Sequence, residues 1–320
     1  MYLNYKSVSQ LNRDIIEWLP TLPRDIDAVV GIPRSGLLVT NLVALYRNIP
    51  ISDLDSFLAG SFMKGGSRLK YAASEISKVL ILDDSLCSGA SMQQARQRVA
   101  DSNCPFRCIY GAVYVTPENF KKADFYHQIL PSPRIFEWNL FHHNILQNVC
   151  MDIDGVLCRD PNSAENDDGV NYVKFLQTVP LKYRPTLKVG WLVTARLEKY
   201  RKYTETWLRE NNIDYGELCM LDLPNKQARV ESCANASFKA AVYRKTNAEL
   251  FIESSLSQAC EISALTGKQV ICTDVSKVVY PNGCMQALQS GVNHYRGWVV
   301  YIKGILRPFW RVIRAAICLR

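Results

Sequence analysis

The sequence has 320 residues, of which 48% are hydrophobic and 21% are charged, and its formal net charge is +8. This length and composition predict two globular domains, each able to bury its own core. Much of the positive excess falls at 296–320, which argues against a general nucleic-acid surface, and we expect no nucleic-acid partner. The 11 cysteines include no Cys-x-x-Cys pair, which excludes zinc-ribbon spacing and indicates free thiols in a reducing cytosol.

The first part of the chain alternates apolar runs of strand length with helical patterns. Strands are predicted at 27–32, 78–84 and 108–115, and helices at 37–48 and 90–102. This order is typical of a parallel sheet flanked by helices. We assign it to a first domain at 1–145.

A pair of acids and a run of small residues follow the second of these strands. Asp83 and Asp84 close the apolar run, the segment 85–91 follows, and a helix begins there. In an open α/β sheet, ligands bind beyond the carboxyl ends of the strands. Backbone amides of small residues and the start of a helix suit a phosphate, and paired carboxylates suit ribose hydroxyls or water on a magnesium ion.

The segment 79–92 resembles the phosphoribosyl-diphosphate (PRPP) motif of type I phosphoribosyltransferases. The resemblance implies that PRPP is bound by both acids and by Ser88, Gly89, Ala90 and Ser91. Cys87 departs from the family pattern, because a threonine usually stands there, so one hydroxyl donor is lost. The alternative is an ordinary strand-to-helix turn with acids present by chance.

Two further segments fit the same resemblance. The loop 31–36 corresponds to the family's diphosphate-binding loop, and the residues implied in it are Gly31, Arg34, Ser35 and Gly36. The basic, glycine-rich segment 60–71 corresponds to a mobile loop that closes over the diphosphate. Its candidate charged groups are Lys64, Arg68 and Lys70, and a solvated hairpin is the alternative.

The second part of the chain restarts the alternation of strands and helices. Strands are predicted at 148–155, 189–196, 249–255 and 268–275. We assign them to a second domain at 146–280, again a parallel sheet flanked by helices.

The first strand of this domain carries the second candidate site. Asp152 and Asp154 are two residues apart, so a strand directs both to one face. The sequence Asp-x-Asp-Gly-Val resembles the first motif of haloacid dehalogenase-like phosphatases. The resemblance implies that Asp152 attacks phosphorus, that Asp154 is the general acid and base, and that Mg²⁺ assists.

The remaining motifs of that family follow in order. The resemblance assigns phosphate binding to Thr194 and to Lys239, with Lys245 as the second choice for the lysine. It assigns a metal site to Asp152, Asp154 and Glu253. Many members have two acids at the last position, where this chain has one acid followed by two serines, so Asp274 is a candidate substitute. A decayed site that only binds substrate is the alternative.

The end of the chain, 281–320, differs in composition from both domains. At 100° per residue, five basic residues of 296–320 fall on one stripe of a helix whose other surface is aromatic and aliphatic. Such a basic amphipathic helix is typical of an anchor on an anionic membrane surface. Packing on the protein's own core or on a dimer partner is the alternative, and the sequence leaves open a homo-oligomer.

Together these features predict a bifunctional ribofuranosyltransferase. The first domain would transfer 5-phosphoribose from PRPP to a glycan or glycolipid acceptor with Mg²⁺, and the second would remove the 5-phosphate. The tail predicts a cytoplasmic enzyme, peripheral on the inner face of a bacterial membrane, in surface polysaccharide biosynthesis. One alternative is a nucleobase phosphoribosyltransferase fused to a nucleotidase in salvage. Another is a PRPP-sensing regulator or scaffold without catalysis.

Overall fold

Residues 3–63, 66–69 and 71–281 are described by a computed structural model, in which the chain divides into two compact units after Trp138. The sequence predicted the division after residue 145. The predicted membrane-binding tail lies outside the described residues from residue 282 onward. Within the described ranges, no helix has the length and apolar character needed to cross a membrane.

Seven strands and four helices form the described part of the first unit. The strands are β1 (Asn4–Lys6), β2 (Ala28–Gly31), β3 (Ile51–Asp53), β4 (Lys78–Leu86), β5 (Arg107–Val115), β6 (Phe125–Ile129) and β7 (Arg134–Phe136). The helices are α1 (Val8–Trp18), α2 (Gly36–Arg47), α3 (Leu54–Leu58) and α4 (Ala90–Asp101). Ser7 and Gln10 form a capping box that fixes the start of α1.

The main sheet of this unit has the strand order β3-β2-β4-β5-β6, and every pairing in it is parallel. Alternate residues of β4 enter different cores: Leu80 and Leu82 pack with residues of α1 and α2, and Val79 and Ile81 with residues of α3 and α4. From β2 the chain moves to one edge through β3 and then returns to place β4 on the other side of β2. The carboxyl ends of β2 and β4 therefore border a crevice at the topological switch point.

The described part of the second unit, which ends at residue 281, contributes six more strands and five helices. The strands are β8 (Val149–Met151), β9 (Val189–Leu197), β10 (Tyr215–Leu221), β11 (Leu250–Glu253), β12 (Val270–Cys272) and β13 (Lys277–Val279). The helices are α5 (Val170–Thr178), α6 (Arg201–Glu210), α7 (Lys226–Ser232), α8 (Ala234–Lys245) and α9 (Leu256–Thr266).

The sheet of the second unit has the order β10-β9-β8-β11-β12-β13 and is parallel except for β13. The central strand β8 pairs with β9 on one side and with β11 on the other. The carboxyl ends of these three strands lie side by side, which again creates a switch point. The predicted α/β class, with parallel sheets flanked by helices, is confirmed.

Candidate functional sites

The acid pair of the first unit lies inside β4, because the strand continues two residues past Asp84. Asp83 is 8% exposed and Asp84 is 3% exposed. Burial, together with the neighbouring Asp84 carboxylate, raises the pKa of Asp83 to about 8. A cation or a hydroxyl-rich ligand at this position would stabilise the negative charge of two adjacent acids that are shielded from solvent.

Neutral donors hold Asp84 in place. The hydroxyl of Ser35 donates to one carboxylate oxygen at 2.8 Å, and the indole N–H of Trp138 donates to the other at 2.7 Å. Trp138 is also stacked on Phe136, with ring centroids 4.9 Å apart. The sequence analysis missed Trp138, since it stands 54 residues from Asp84 and belongs to no motif.

The predicted diphosphate loop reaches the same strand end. Gly31 is the last residue of β2, and Arg34 and Ser35 connect it to Gly36, the first residue of α2. A Cβ atom on Gly36 would lie 2.7 Å from the carbonyl oxygen of Leu82, so only glycine permits this approach of α2 to β4. The Pro33–Arg34 peptide bond is cis.

The predicted phosphate loop follows β4 directly. Cys87 and Ser88 are exposed, Gly89 has φ of 77° and is the N-cap of α4, and Ala90 and Ser91 begin that helix. The amide of Ala90 donates to the Ser88 hydroxyl at 3.3 Å, and the amides that follow it in the first turn of α4 are available for an anion. Of the predicted mobile-loop cations, Arg68 is exposed in a turn, whereas Lys64 and Lys70 lie outside the described residues.

The second unit brings its predicted nucleophile and lysine together. Asp152 follows β8 and is 4% exposed, and the ammonium of Lys239 lies 2.6 Å from its carboxylate. The same ammonium lies 2.7 Å from Glu253 at the end of β11 and 3.0 Å from Gln258. Lys239 in α8 therefore forms ion pairs with two buried carboxylates at once, and Lys245, the second choice, lies in the last turn of that helix.

The protonation of this group reflects its burial. Burial raises the pKa of Asp152 to about 8; the Glu253 and Asp154 carboxylates add to the rise and the Lys239 ammonium opposes it. Burial alone would lower the pKa of Lys239, but the two carboxylates outweigh it and raise that pKa. Lys239 therefore remains a cation.

Arg196 is the main residue that the sequence analysis missed in this site. Its guanidinium is fully buried and donates to both carboxylate oxygens of Asp154, with Nη2 2.6 Å from Oδ1 and Nε 3.0 Å from Oδ2. Thr194, two residues earlier in β9, is fully buried at the same pocket. The sequence contained a signal for Arg196, because it lies two residues after Thr194 and residues two apart in a strand share a face.

Asp152, Asp154, Thr194 and Lys239 line a cavity of about 200 Å³. Its lining comprises Asp152, Asp154, Asp160, Pro161, Asn166, Tyr172, Thr194, Ala195, Arg229, Asn235, Lys239 and Gln258.

The predicted metal ligands of the second unit do not converge. In the described part of the chain, Asp152, Asp154 and Glu253 do not bring three ligand atoms within 4.8 Å of one another. The physical reason is that Lys239 lies between Asp152 and Glu253, while Arg196 holds Asp154. The three carboxylates therefore do not fit a shared metal cage, and Asp274 instead faces Lys182 at 3.9 Å.

The acid pair of the first unit fits a metal-bound ligand better. Magnesium is commonly held by one or two carboxylates together with the phosphates of a substrate. Asp83 and Asp84 accept their hydrogen bonds from a backbone amide, a hydroxyl and an indole, none of which carries a charge. These two residues would hold the magnesium, directly or through water.

No protein-family model matches the sequence, and no curated protein matches it. Among solved structures, the xanthine-guanine-hypoxanthine phosphoribosyltransferase of Helicobacter pylori aligns at 15% identity and a TM-score of 0.34, covering 43% of this chain and 93% of that chain. The purine phosphoribosyltransferase of Pyrococcus horikoshii Ot3 aligns at 19% identity and a TM-score of 0.32, covering 43% and 94%.

Proposed function

We propose that this chain is a bifunctional enzyme that transfers 5-phosphoribose from PRPP to an acceptor and then removes the 5-phosphate. The observation that carries the proposal is that each parallel sheet presents acids at the switch point of its strands. Ligands of open α/β sheets bind at such points.

The transfer step would take place at the ends of β2 and β4. The loop after β4 and the start of α4 would bind the 5-phosphate through backbone amides, and the loop 31–36 would bind the diphosphate. Asp84, oriented by Ser35 and Trp138, and Asp83 would face the ribose hydroxyls or the metal-bound diphosphate. The bond from ribose C1 to the diphosphate oxygen breaks, a bond from C1 to the oxygen of an acceptor hydroxyl forms, and diphosphate leaves with the electron pair and takes up the proton that the hydroxyl loses.

The second step would be hydrolysis of the phosphate monoester that the first step produces. A carboxylate oxygen of Asp152 attacks phosphorus, the bond to the sugar oxygen breaks, and Asp154 supplies the proton that the leaving alcohol requires. Water, with its proton taken by Asp154, then cleaves the aspartyl-phosphate and releases inorganic phosphate. Lys239 beside Asp152 supports the choice of nucleophile, since its charge offsets the repulsion between that carboxylate and an approaching phosphate.

The acceptor is proposed from the sequence of the tail. The basic amphipathic pattern at 296–320 favours an anionic membrane surface, so we propose a glycan or glycolipid acceptor at the inner face of a bacterial membrane. The net product would be an acceptor that carries plain ribofuranose.

Mass spectrometry of reaction products tests both steps. The full chain is incubated with PRPP, magnesium and a membrane glycolipid extract, in parallel with Asp152→Asn and Asp84→Asn variants. Wild type should add a ribose mass, Asp152→Asn should add a phosphoribose mass, and Asp84→Asn should add neither.

Other products would refute parts of the scheme. Formation of nucleotides from added nucleobases, without a change in the glycolipid, would replace it with salvage. A wild-type chain that neither consumes PRPP nor releases phosphate from ribose 5-phosphate would refute catalysis and favour a scaffold.

A further inference from the structure

The segment that follows β5 packs against the phosphate loop from outside. The amide Nδ2 of Asn119 donates to the carbonyl of Cys87 at 2.7 Å, and the hydroxyl of Thr116 donates to the same carbonyl at 3.2 Å. The ammonium of Lys122 donates to the carbonyl of Ser88 at 2.5 Å. The backbone carbonyls of Cys87 and Ser88 therefore both accept hydrogen bonds from side chains that lie far away in the sequence.

Because the peptide bond is planar, hydrogen bonds that fix the loop carbonyls also fix the direction of the N–H groups that follow them. In a trans peptide the N–H points opposite to the preceding C=O. The N–H groups of Ser88 and Gly89 therefore point away from Asn119 and Lys122. Within the described residues, neither N–H donates a hydrogen bond to the protein. Two adjacent unpaired amides of this kind form a concave site for an anion.

Lys122 also packs closely on the loop through its aliphatic stem. Gly89 has φ of 77°, and a Cβ atom there would lie 2.5 Å from Cδ of Lys122. A side chain at Gly89 would therefore displace Lys122 and with it the carbonyl of Ser88. Gly89 is therefore required both for the backbone conformation of the turn and for the close packing of Lys122.

Residues 116–124, which support the phosphate loop, also contact α4, the helix that follows this loop. Arg96 in α4 donates to the carbonyl of Lys122 at 3.4 Å and forms an ion pair with Asp124 at 2.9 Å. Asp124 in turn accepts from the backbone amide of Tyr110 in β5 at 2.8 Å, and Arg96 stacks over the Tyr110 ring at 3.9 Å. The phosphate loop, α4, β5 and residues 116–124 thus form a closed ring of contacts, which fixes the position of Lys122.

We propose that Asn119 and Lys122 are positioning residues for the 5-phosphate subsite, holding two loop carbonyls outward so that the amides of Ser88 and Gly89 face the phosphate. This inference rests on the proposed transfer function. Neither side chain needs to touch the phosphate, because each acts through a carbonyl on the far side of a peptide plane. Lys122 also adds a positive charge near the bound anion.

The test is binding of two probes that occupy different subsites of the full chain. Every chain in this test carries Asp152→Asn, so that the second unit does not hydrolyse ribose 5-phosphate and contributes the same background binding to all variants. Isothermal titration calorimetry then measures the affinity of ribose 5-phosphate, which needs the phosphate loop, and of magnesium diphosphate, which needs the loop 31–36. The variants are Lys122→Met and Asn119→Ala. Lys121→Met is the matched control, because Lys121 is the adjacent exposed lysine and lies over the Phe120 ring.

Lys122→Met should weaken ribose 5-phosphate binding about tenfold and Asn119→Ala about threefold, with diphosphate affinity and the control unchanged. Lys122→Arg should recover most of the affinity, because a guanidinium also reaches the Ser88 carbonyl. Unchanged binding of ribose 5-phosphate in both variants would overturn the inference, and so would equal losses for both probes, which indicate a general loss of structure. An Asp152→Asn chain without further substitutions that binds neither probe would overturn the proposed transfer function as well.

Discussion

Asp83 is the buried acid whose charge should govern the stability of the first unit. Its pKa is raised to about 8 by burial and by Asp84, against an unfolded value of 3.8. The folded state therefore binds this proton more tightly than the unfolded state. Stability from this group is fully present below about pH 4 and is lost as the pH rises through about 8.

The size of the effect follows from the shift. One pKa unit corresponds to about 1.4 kcal/mol, so the free energy of unfolding should fall by about 3–4 kcal/mol between about pH 5 and pH 8. Asp83→Asn has nearly the same shape, cannot ionise, and keeps an oxygen that accepts the amide of Asp84. The variant should therefore gain about 3–4 kcal/mol relative to wild type over that pH interval.

Urea unfolding of the full chain at the two pH values measures this difference. Pulsed hydrogen exchange, read by mass spectrometry on peptides from β4 and from β9, scores the two units separately. Asp101→Asn, an exposed acid of the same unit, is the control and should follow wild type. Equal pH dependence of wild type and Asp83→Asn in the β4 peptides would refute the reasoning.

Three further outcomes follow from the contacts of the two sites. Lys239→Met should lower the free energy of unfolding of the second unit by about 3–5 kcal/mol, because two buried carboxylates lose their cation. Urea unfolding measures this, with Lys245→Met expected within about 0.5 kcal/mol of wild type. Because the pKa of Asp152 is raised to about 8, kcat/KM for ribose 5-phosphate hydrolysis should rise with pH and at pH 7 reach about a tenth of its plateau. A flat profile between about pH 6 and pH 9 would contradict the assignment of the nucleophile. Trp138→Phe should keep the aromatic stacking but destabilise the first unit by about 1–2 kcal/mol in the same unfolding assay, since Asp84 loses a donor.

Local patterns in the sequence predicted the elements that carry both sites. An apolar run that ends in acids indicates a buried strand, and β4 and β8 are both buried strands next to acids. The strand predicted at 148–155 ends at Met151, so Asp152 and Asp154 follow β8 rather than lie in it. The end of β4 was misjudged by two residues, because strand pairing with β5 continues to Leu86 and overrides the turn signal of the acids.

Contacts between distant segments could not be read from those patterns. The partners of Asp84 come from the start of α2 and from the end of the first unit, and which donors reach it depends on strand order rather than on spacing. The sequence could have indicated Arg196 as a site residue, since it shares a strand face with Thr194. The sequence does not show that the guanidinium of Arg196 donates to Asp154, which makes this carboxylate less available as a metal ligand.

The charge balance of the two sites explains why similar sheets suit different ligands. At the end of β4, the acid pair accepts only neutral donors in the described contacts, so its negative charge is left for a cation or for hydroxyls that arrive with the ligand. At the ends of β8 and β9, Lys239 and Arg196 already offset two of the carboxylate charges around the cavity. A phosphate dianion can approach the second group without importing a compensating charge, whereas the first group requires its ligand to bring one. This difference favours a metal-bound diphosphate donor at the first site and a phosphate monoester at the second.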